Sequence, residues 1–173
     1  MVGDTRINNG RNEKTSFIII DAQSVKNTDT AKEKGYDAGK KVSGIKRHIA
    51  VDTQGLPHSI HITTANVTDG NGAIEMVKNN KKCLSKVQNT MVDGGYTGEN
   101  FANEIKEILG SAVEVVKRSE LYIFKVIPKR WIVERSFAWL EKCRRLWKNC
   151  ERFLSSSLAM AQLAFISLLL KRF

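Results

Sequence analysis

Residues 16–21 read SFIIID, and the same pattern returns in residues 88–98, QNTMVDGGYTG. A short β-branched apolar run of this kind is a buried strand. Each run ends in an aspartate, Asp21 in the first and Asp93 in the second. A strand ending in Asp presents its carboxylate at the C-terminal edge of a sheet, where α/β proteins commonly build sites. The glycines after Asp93 let the backbone turn sharply and leave room for a ligand. Seen alone, either aspartate reads equally well as a turn or cap residue.

The flanking segments give the expected order of elements. Residues 27–41 are a polar, basic loop. Residues 46–65, KRHIAVDTQGLPHSIHITTA, alternate as two strands around Gln54-Gly55, a hairpin signal. Residues 73–82 and 99–110 read as helices, the second stopped by Gly110, and 112–118 as a strand. Pro128 suits the first turn of a long helix that contains Glu134. A last helix starts near Ser155 to Ser157, whose hydroxyls offer an N-cap, and runs to the end. Three early strands followed by helix–strand alternation predict an α/β protein: a mixed sheet flanked by helices, in the order of RNase H-like folds. Residues 1–15, rich in Asn, Gly and charge, read as a flexible lead-in, and 16–173 as one domain.

The chain carries 28 Lys and Arg against 18 Asp and Glu, a net charge of +10. That excess points to a polyanionic partner, since each neutralised phosphate releases counterions. A membrane partner is disfavoured. The longest apolar run, LAMAQLAFISLLL (158–170), is too short to span a bilayer and reads as a buried helix. The first residues show no signal segment, so a cytoplasmic, nucleoid-associated protein is expected. Cys83, Cys143 and Cys150 are widely spaced without a CxxC pair, which suits reduced, packed thiols. Cys143 and Cys150 are expected to share one helix face. His58 and His61 fall on opposite faces of a strand and are not read as metal ligands.

Residues 130–148 read RWIVERSFAWLEKCRRLWK. Glu134 stands here among Lys and Arg. An i,i+4 ion pair with Arg130 is the plain explanation. The alternative needs the rest of the chain. If the strands ending in Asp21 and Asp93 lie side by side, a late helix crossing their ends brings Glu134 near both. Three converging carboxylates repel one another, and hard divalent cations relieve that repulsion. Two such ions support phosphodiester chemistry. Asp52 reads as a turn residue and Asp69 as a cap or turn residue. Trp131, Phe137 and Trp139 read as core-facing or half-buried, with base stacking the lesser alternative.

IIDAQSVKNT, GKKVSGIKRHIAVDTQGLP, TTANVTDGNGA, MVDGGYTG, EVVKR and PKRWIVERSFAWLEKCRRLWKNCER occur in that order over roughly residues 17–172. Together they resemble the catalytic domain of bacterial insertion-sequence DDE transposases, specifically the insertion sequence family five group. The resemblance implies an RNase H-like fold with Asp21, Asp93 and Glu134 as catalytic and metal-binding triad. It implies Mg²⁺ or Mn²⁺, two ions, and cleavage and joining of double-stranded DNA at transposon ends and target, by a homo-oligomer. A nuclease or resolvase without joining activity, or a non-catalytic DNA-binding remnant, are the rival expectations. Lys26, Lys46, Lys117, Arg118, Arg130, Lys142, Arg144 and Arg145 are the expected DNA contacts, with Lys40, Lys41 and Arg47 beside them. The related families carry Tyr, two residues, Arg, three residues, Glu, six residues, Lys. Arg130 and Glu134 fit that signature, whereas Ile127 and Glu141 occupy the Tyr and Lys positions. A further N-terminal recognition region, usual in the group, has no counterpart in the 16 residues before the first strand.

Overall fold

A computed structural model describes residues 1–96, 99–116 and 129–171. Strand β1 (Phe17–Lys26) is central, with antiparallel β3 (Val42–Val51) on one side and parallel β5 (Asn89–Asp93) on the other. Strand β6 (Ala112–Val116) extends the sheet in parallel beyond β5. The short β2 (Gly35–Asp37) and β4 (Pro57–Thr64) both pair antiparallel with the far edge of β3. Helices α2 (Asp69–Asn79) and α3 (Glu99–Leu109) cover one face. Helices α4 (Arg130–Glu141) and α5 (Leu154–Leu170) cover the other.

Side-chain alternation along β1 explains both layers. Ile18 and Ile20 pack with Met76 and Val77 of α2 and with Phe101 and Ile105 of α3. Ile19 points the opposite way, to Met91, to Ile132, Val133 and Phe137 of α4, and to Phe165 of α5. A strand buried on both faces must be apolar at every position, which is why FIIID lacks a polar alternation. Each such side chain contributes about 1.5–3 kcal/mol by leaving water.

The mixed sheet flanked by helices is the expected one, and several local expectations need correction. Where a flexible lead-in was expected, helix α1 (Val2–Asn8) forms, and Arg6 is buried in an ion pair with Asp52. A buried carboxylate needs such a partner. The loop at 27–41 contains β2, which pairs because Gly35, Tyr36 and Asp37 lie opposite Gly44, Ser43 and Val42. Helix α4 stops at Glu141, so Cys143 and Cys150 lie beyond its end and share no helix face. Thr68, not Asp69, caps α2, its hydroxyl accepting from the Asn71 N–H at 3.2 Å. Phe153 sits at the N-cap of α5 without a side-chain bond. The Ser157 hydroxyl is instead spent on Asn149 Oδ1 at 2.7 Å and the Phe153 carbonyl. The apolar run 158–170 is buried on one face only, with Leu163 and Leu170 more than half exposed. No helix among the described residues is long and apolar enough to cross a membrane. Pro128 and Ile127 lie outside the described residues.

Candidate active site at the strand ends

Strands β1 and β5 run parallel with Ile19 opposite Met91. Asp21 and Asp93 stand two residues beyond that pair. Alternation therefore sets both carboxylates on the face that α4 covers. Helix α4 starts at Arg130, whose guanidinium lies 3.4 Å from Asp93 and 3.2 Å from Glu134. One cation thus spans the strand-end acid and the helix acid, and the i,i+4 pair read from the sequence is present. The Asp93 Oδ1 atom also accepts the Gly95 N–H at 2.9 Å, fixing the carboxylate over the turn that follows β5.

Asp21 carries the largest electrostatic strain of the three. Burial pushes its carboxyl up to about 6. The Ala22 N–H, donating at 2.7 Å, opposes this, while the charge of Asp93 adds to it. Arg130 and Lys40 offset only part. Two crowded carboxylates with too little positive charge, all their donors oxygen, fit a hard divalent ion such as Mg²⁺ or Mn²⁺. Among the described residues, no three His, Cys, Asp or Glu side chains gather closely enough to hold a metal together. Glu134 is 58% exposed and turned to Arg130. Asp21 and Asp93 offer the oxygen donors such an ion takes, and Glu134 is held one guanidinium away.

An open groove of about 330 Å³ leads to these groups, lined by Asp21, Gln23, Ser24, Lys40, Glu134 and Glu141 among others. Lys40 donates to the Ala22 carbonyl at 3.1 Å and pairs with Asp69 at 3.3 Å. Gln23 donates to Glu141 at 2.6 Å across the groove. The sequence reading missed Gln23, although its place two residues after Asp21 on a strand was signal enough to put it on the same face.

The expected DNA contacts divide sharply. Lys26, Lys41, Lys142, Arg144 and Arg145 are exposed, and Arg145 pairs with Glu151 at 3.0 Å. Lys46 is 4% exposed and tied to Asp69 at 2.7 Å, Asp37 at 3.2 Å and the Val67 carbonyl. That burial removes Lys46 from any DNA-facing set. Burial likewise excludes Arg47, 2% exposed, whose guanidinium donates to the Leu146 carbonyl. Burial lowers the Arg47 pKa to about 10, and the Glu141 charge counters that shift. Glu141, where the resembling families carry Lys, is exposed and accepts from Gln23. Lys117 and Arg118 fall outside the described residues. Trp131, expected to be core-facing or half-buried, is 51% exposed, whereas Phe137 is buried and Trp139 half-buried.

Comparisons with known proteins speak to the fold and the family. The catalytic core domain of BIV integrase superposes with a TM-score of 0.53 at 15% identity, covering 88% of this chain and 82% of that one. That likeness shows the RNase H-like fold. A putative transposase for insertion sequence element IS402 from Burkholderia cepacia is 28% identical over 116 residues, 63% of this chain and 54% of that protein. The chain therefore spans about half the length of that relative. Residues 12–170 match the transposase DDE domain. With nearly the whole chain inside that match and two aspartates at adjacent parallel strand ends, the chain belongs to the transposase DDE domain family.

Proposed function

We propose that this domain cuts and joins DNA phosphodiester bonds during transposition of an insertion sequence, with Asp21, Asp93 and Glu134 as its acidic triad. The observation that carries the reading is the placement of Asp21 and Asp93 at neighbouring parallel strand ends, with Arg130 linking Asp93 to Glu134. Asp21 and Asp93 would hold a divalent cation between them, and Glu134 would complete a second site. Two such ions, when bound, supply Lewis acidity for a nucleophilic oxygen and its leaving group.

The protein's own groups account for the remaining needs. Arg130 bridges Glu134 and Asp93 until a DNA phosphate competes for its guanidinium, which suits bidentate oxyanion binding. The strand-end turn at Gly94–Tyr96 fixes the Asp93 carboxylate through the Gly95 N–H. Lys40, held between the Ala22 carbonyl and Asp69, places a positive charge on the groove wall without closing it. Lys26, Lys142, Arg144 and Arg145 would neutralise backbone phosphates. Such contacts set affinity and orientation and leave sequence unread. The partner is then double-stranded DNA, engaged by more than one copy of the chain at paired ends.

The test incubates the protein and its Glu134→Ala variant with Mn²⁺, labelled DNA bearing 3′ hydroxyl ends, and a plasmid target. Joined and nicked products from the wild type alone are expected. Nicking without joining would favour the nuclease alternative. Equal products from both proteins would remove Glu134 from the chemistry. A second reading, DNA binding without chemistry, draws on the exposure of Glu134 and its pairing with Arg130. Binding without products in either protein would favour it.

A further inference from the structure

Asp37, Lys46, Asp69 and Lys40 form a chain of alternating charges that begins and ends on β1. The Ser24 hydroxyl donates to Asp37 Oδ2 at 2.6 Å. Lys46 Nζ lies 3.2 Å from Asp37 and 2.7 Å from Asp69. Asp69 lies 3.3 Å from Lys40 Nζ, which donates to the Ala22 carbonyl at 3.1 Å. The chain thus leaves β1 at Ser24 and returns at Ala22, next to Asp21. Lone surface ion pairs hold little in place, whereas a satisfied network with buried members rigidifies what it joins. Lys46 is such a member.

The turn that carries Lys40 holds it in this position. Residues 38–41 join β2 to β3. Asp37 Oδ1 accepts the Lys40 N–H at 3.0 Å and fixes the turn from inside. Lys41 follows with a φ of +53°, a left-handed conformation that glycine adopts freely and lysine does not. Such strain persists only where surrounding contacts impose it. Here the turn lets Lys40 reach past β3 to the central strand.

Ala22 links that cation to the acidic edge. Its N–H donates to Asp21 Oδ1 at 2.7 Å, and its carbonyl takes the Lys40 bond. Asp93 is held by the Gly95 N–H and by Arg130, whereas Asp21 depends on the Ala22 N–H among the described residues. The strand is also less supported there. Pairing with β5 runs through Ile19, so at Asp21 and Ala22 β1 is paired on the β3 side alone. Anchoring the Ala22 carbonyl limits rotation of the backbone that orients Asp21.

We propose that Lys40 is a positioning residue for the acidic edge: held by Asp69, it anchors Ala22 and so aims the Asp21 carboxylate at the cation site. This role rests on the DNA-processing reading above and deepens it, because the site served is the divalent-ion site of that reading. Lys46 and Asp37 set Asp69 and the turn from behind. Carboxylates that ligate metals depend on supporting bonds of this kind, and losing one typically costs about 10–100-fold in metal affinity. The direction of the effect separates positioning from plain charge. A lysine that merely stood near the ion would repel it, and its removal would tighten binding.

The experiment titrates Mn²⁺ into the wild type, Lys40→Met, and Lys40→Met combined with Asp69→Asn, following free Mn²⁺ by electron paramagnetic resonance. The double variant keeps the wild-type net charge. Melting in EDTA checks that each protein is folded. Lys40→Met should weaken Mn²⁺ binding about tenfold, and the charge-neutral double variant should show a loss of the same size. Unchanged or tighter binding by Lys40→Met, or a double variant at the wild-type value, is what charge alone predicts. Either result overturns the positioning role and leaves the ion site standing. If the wild type itself takes up no Mn²⁺, the ion site fails and the role of Lys40 fails with it.

Discussion

Asp21 joins stability to the acidic edge in a way that can be measured. Its folded carboxyl titrates near 6, above the usual 3.8. The folded state therefore holds a proton that the unfolded chain releases earlier. Asp21 leaves stability untouched below pH 3.8 and lowers it progressively as pH rises through 6. In EDTA at pH 7.5, Asp21→Asn should raise unfolding free energy by about 1–2 kcal/mol, a value discounted for partial exposure. It should also flatten the pH 4 to 6 region of urea titrations, and unchanged stability would contradict the strain. Glu141 gives the opposite case. Glu141→Lys replaces a charge that favours the buried Arg47 guanidinium with a like one and should lower stability in urea unfolding. Adding Arg47→Met should recover most of that loss, because the charge that needed a partner is gone.

Among the elements, two junctions hold the scaffold. In α2, Gly72 faces the buried His48, and a Cβ there would lie 2.2 Å from the imidazole ring. Gly72→Ala gains about 1 kcal/mol of helix propensity. Displacing a packed ring costs more than that, typically about 1–3 kcal/mol. The expected sign is a net loss in melting temperature, and a gain would mean His48 can move aside. At the other junction, α1 docks on the β3–β4 turn through Arg6 and Asp52. Asp52 also accepts from the Gln54 and Leu56 N–H groups and faces His58 at 3.2 Å. Arg6→Ala leaves the buried carboxylate short of its cation and should cost about 3 kcal/mol. Arg6→Ala with Asp52→Asn should lose less in the same denaturation assay.

For the whole molecule, the net charge of +10 would draw in the proposed DNA partner. Log affinity for duplex DNA should fall linearly with log salt, with a slope near −0.9 per neutralised phosphate. Lys142→Ala and Arg144→Ala should each shallow that slope by about one unit. Arg145→Ala should do less, because Glu151 already takes part of its charge. Lys46→Ala should instead lower stability, since Lys46 is an internal ion-pair partner, and the slope should not change.

The mixed sheet was legible because FIII and MV are unbroken apolar runs, a pattern that two covered sheet faces explain, and because each is followed by Asp. Strand order followed from chain order and from the short hairpin at Gln54-Gly55. Period and punctuation are local properties, and local sequence carries them. The fate of each charge was not local. Lys26 and Lys46 look alike as letters, yet one is exposed and the other is consumed by Asp37 and Asp69. Glu141 stands where the resemblance calls for Lys, and its partner Gln23 lies far away in sequence. The serines at 155–157 looked like a cap, and Asn149 claimed Ser157 instead. Trp131 looked like core, and only the packing of α4 on the sheet showed which of its sides faced water. A charge or a ring is placed by partners many residues distant, and those partners meet only when the chain has folded.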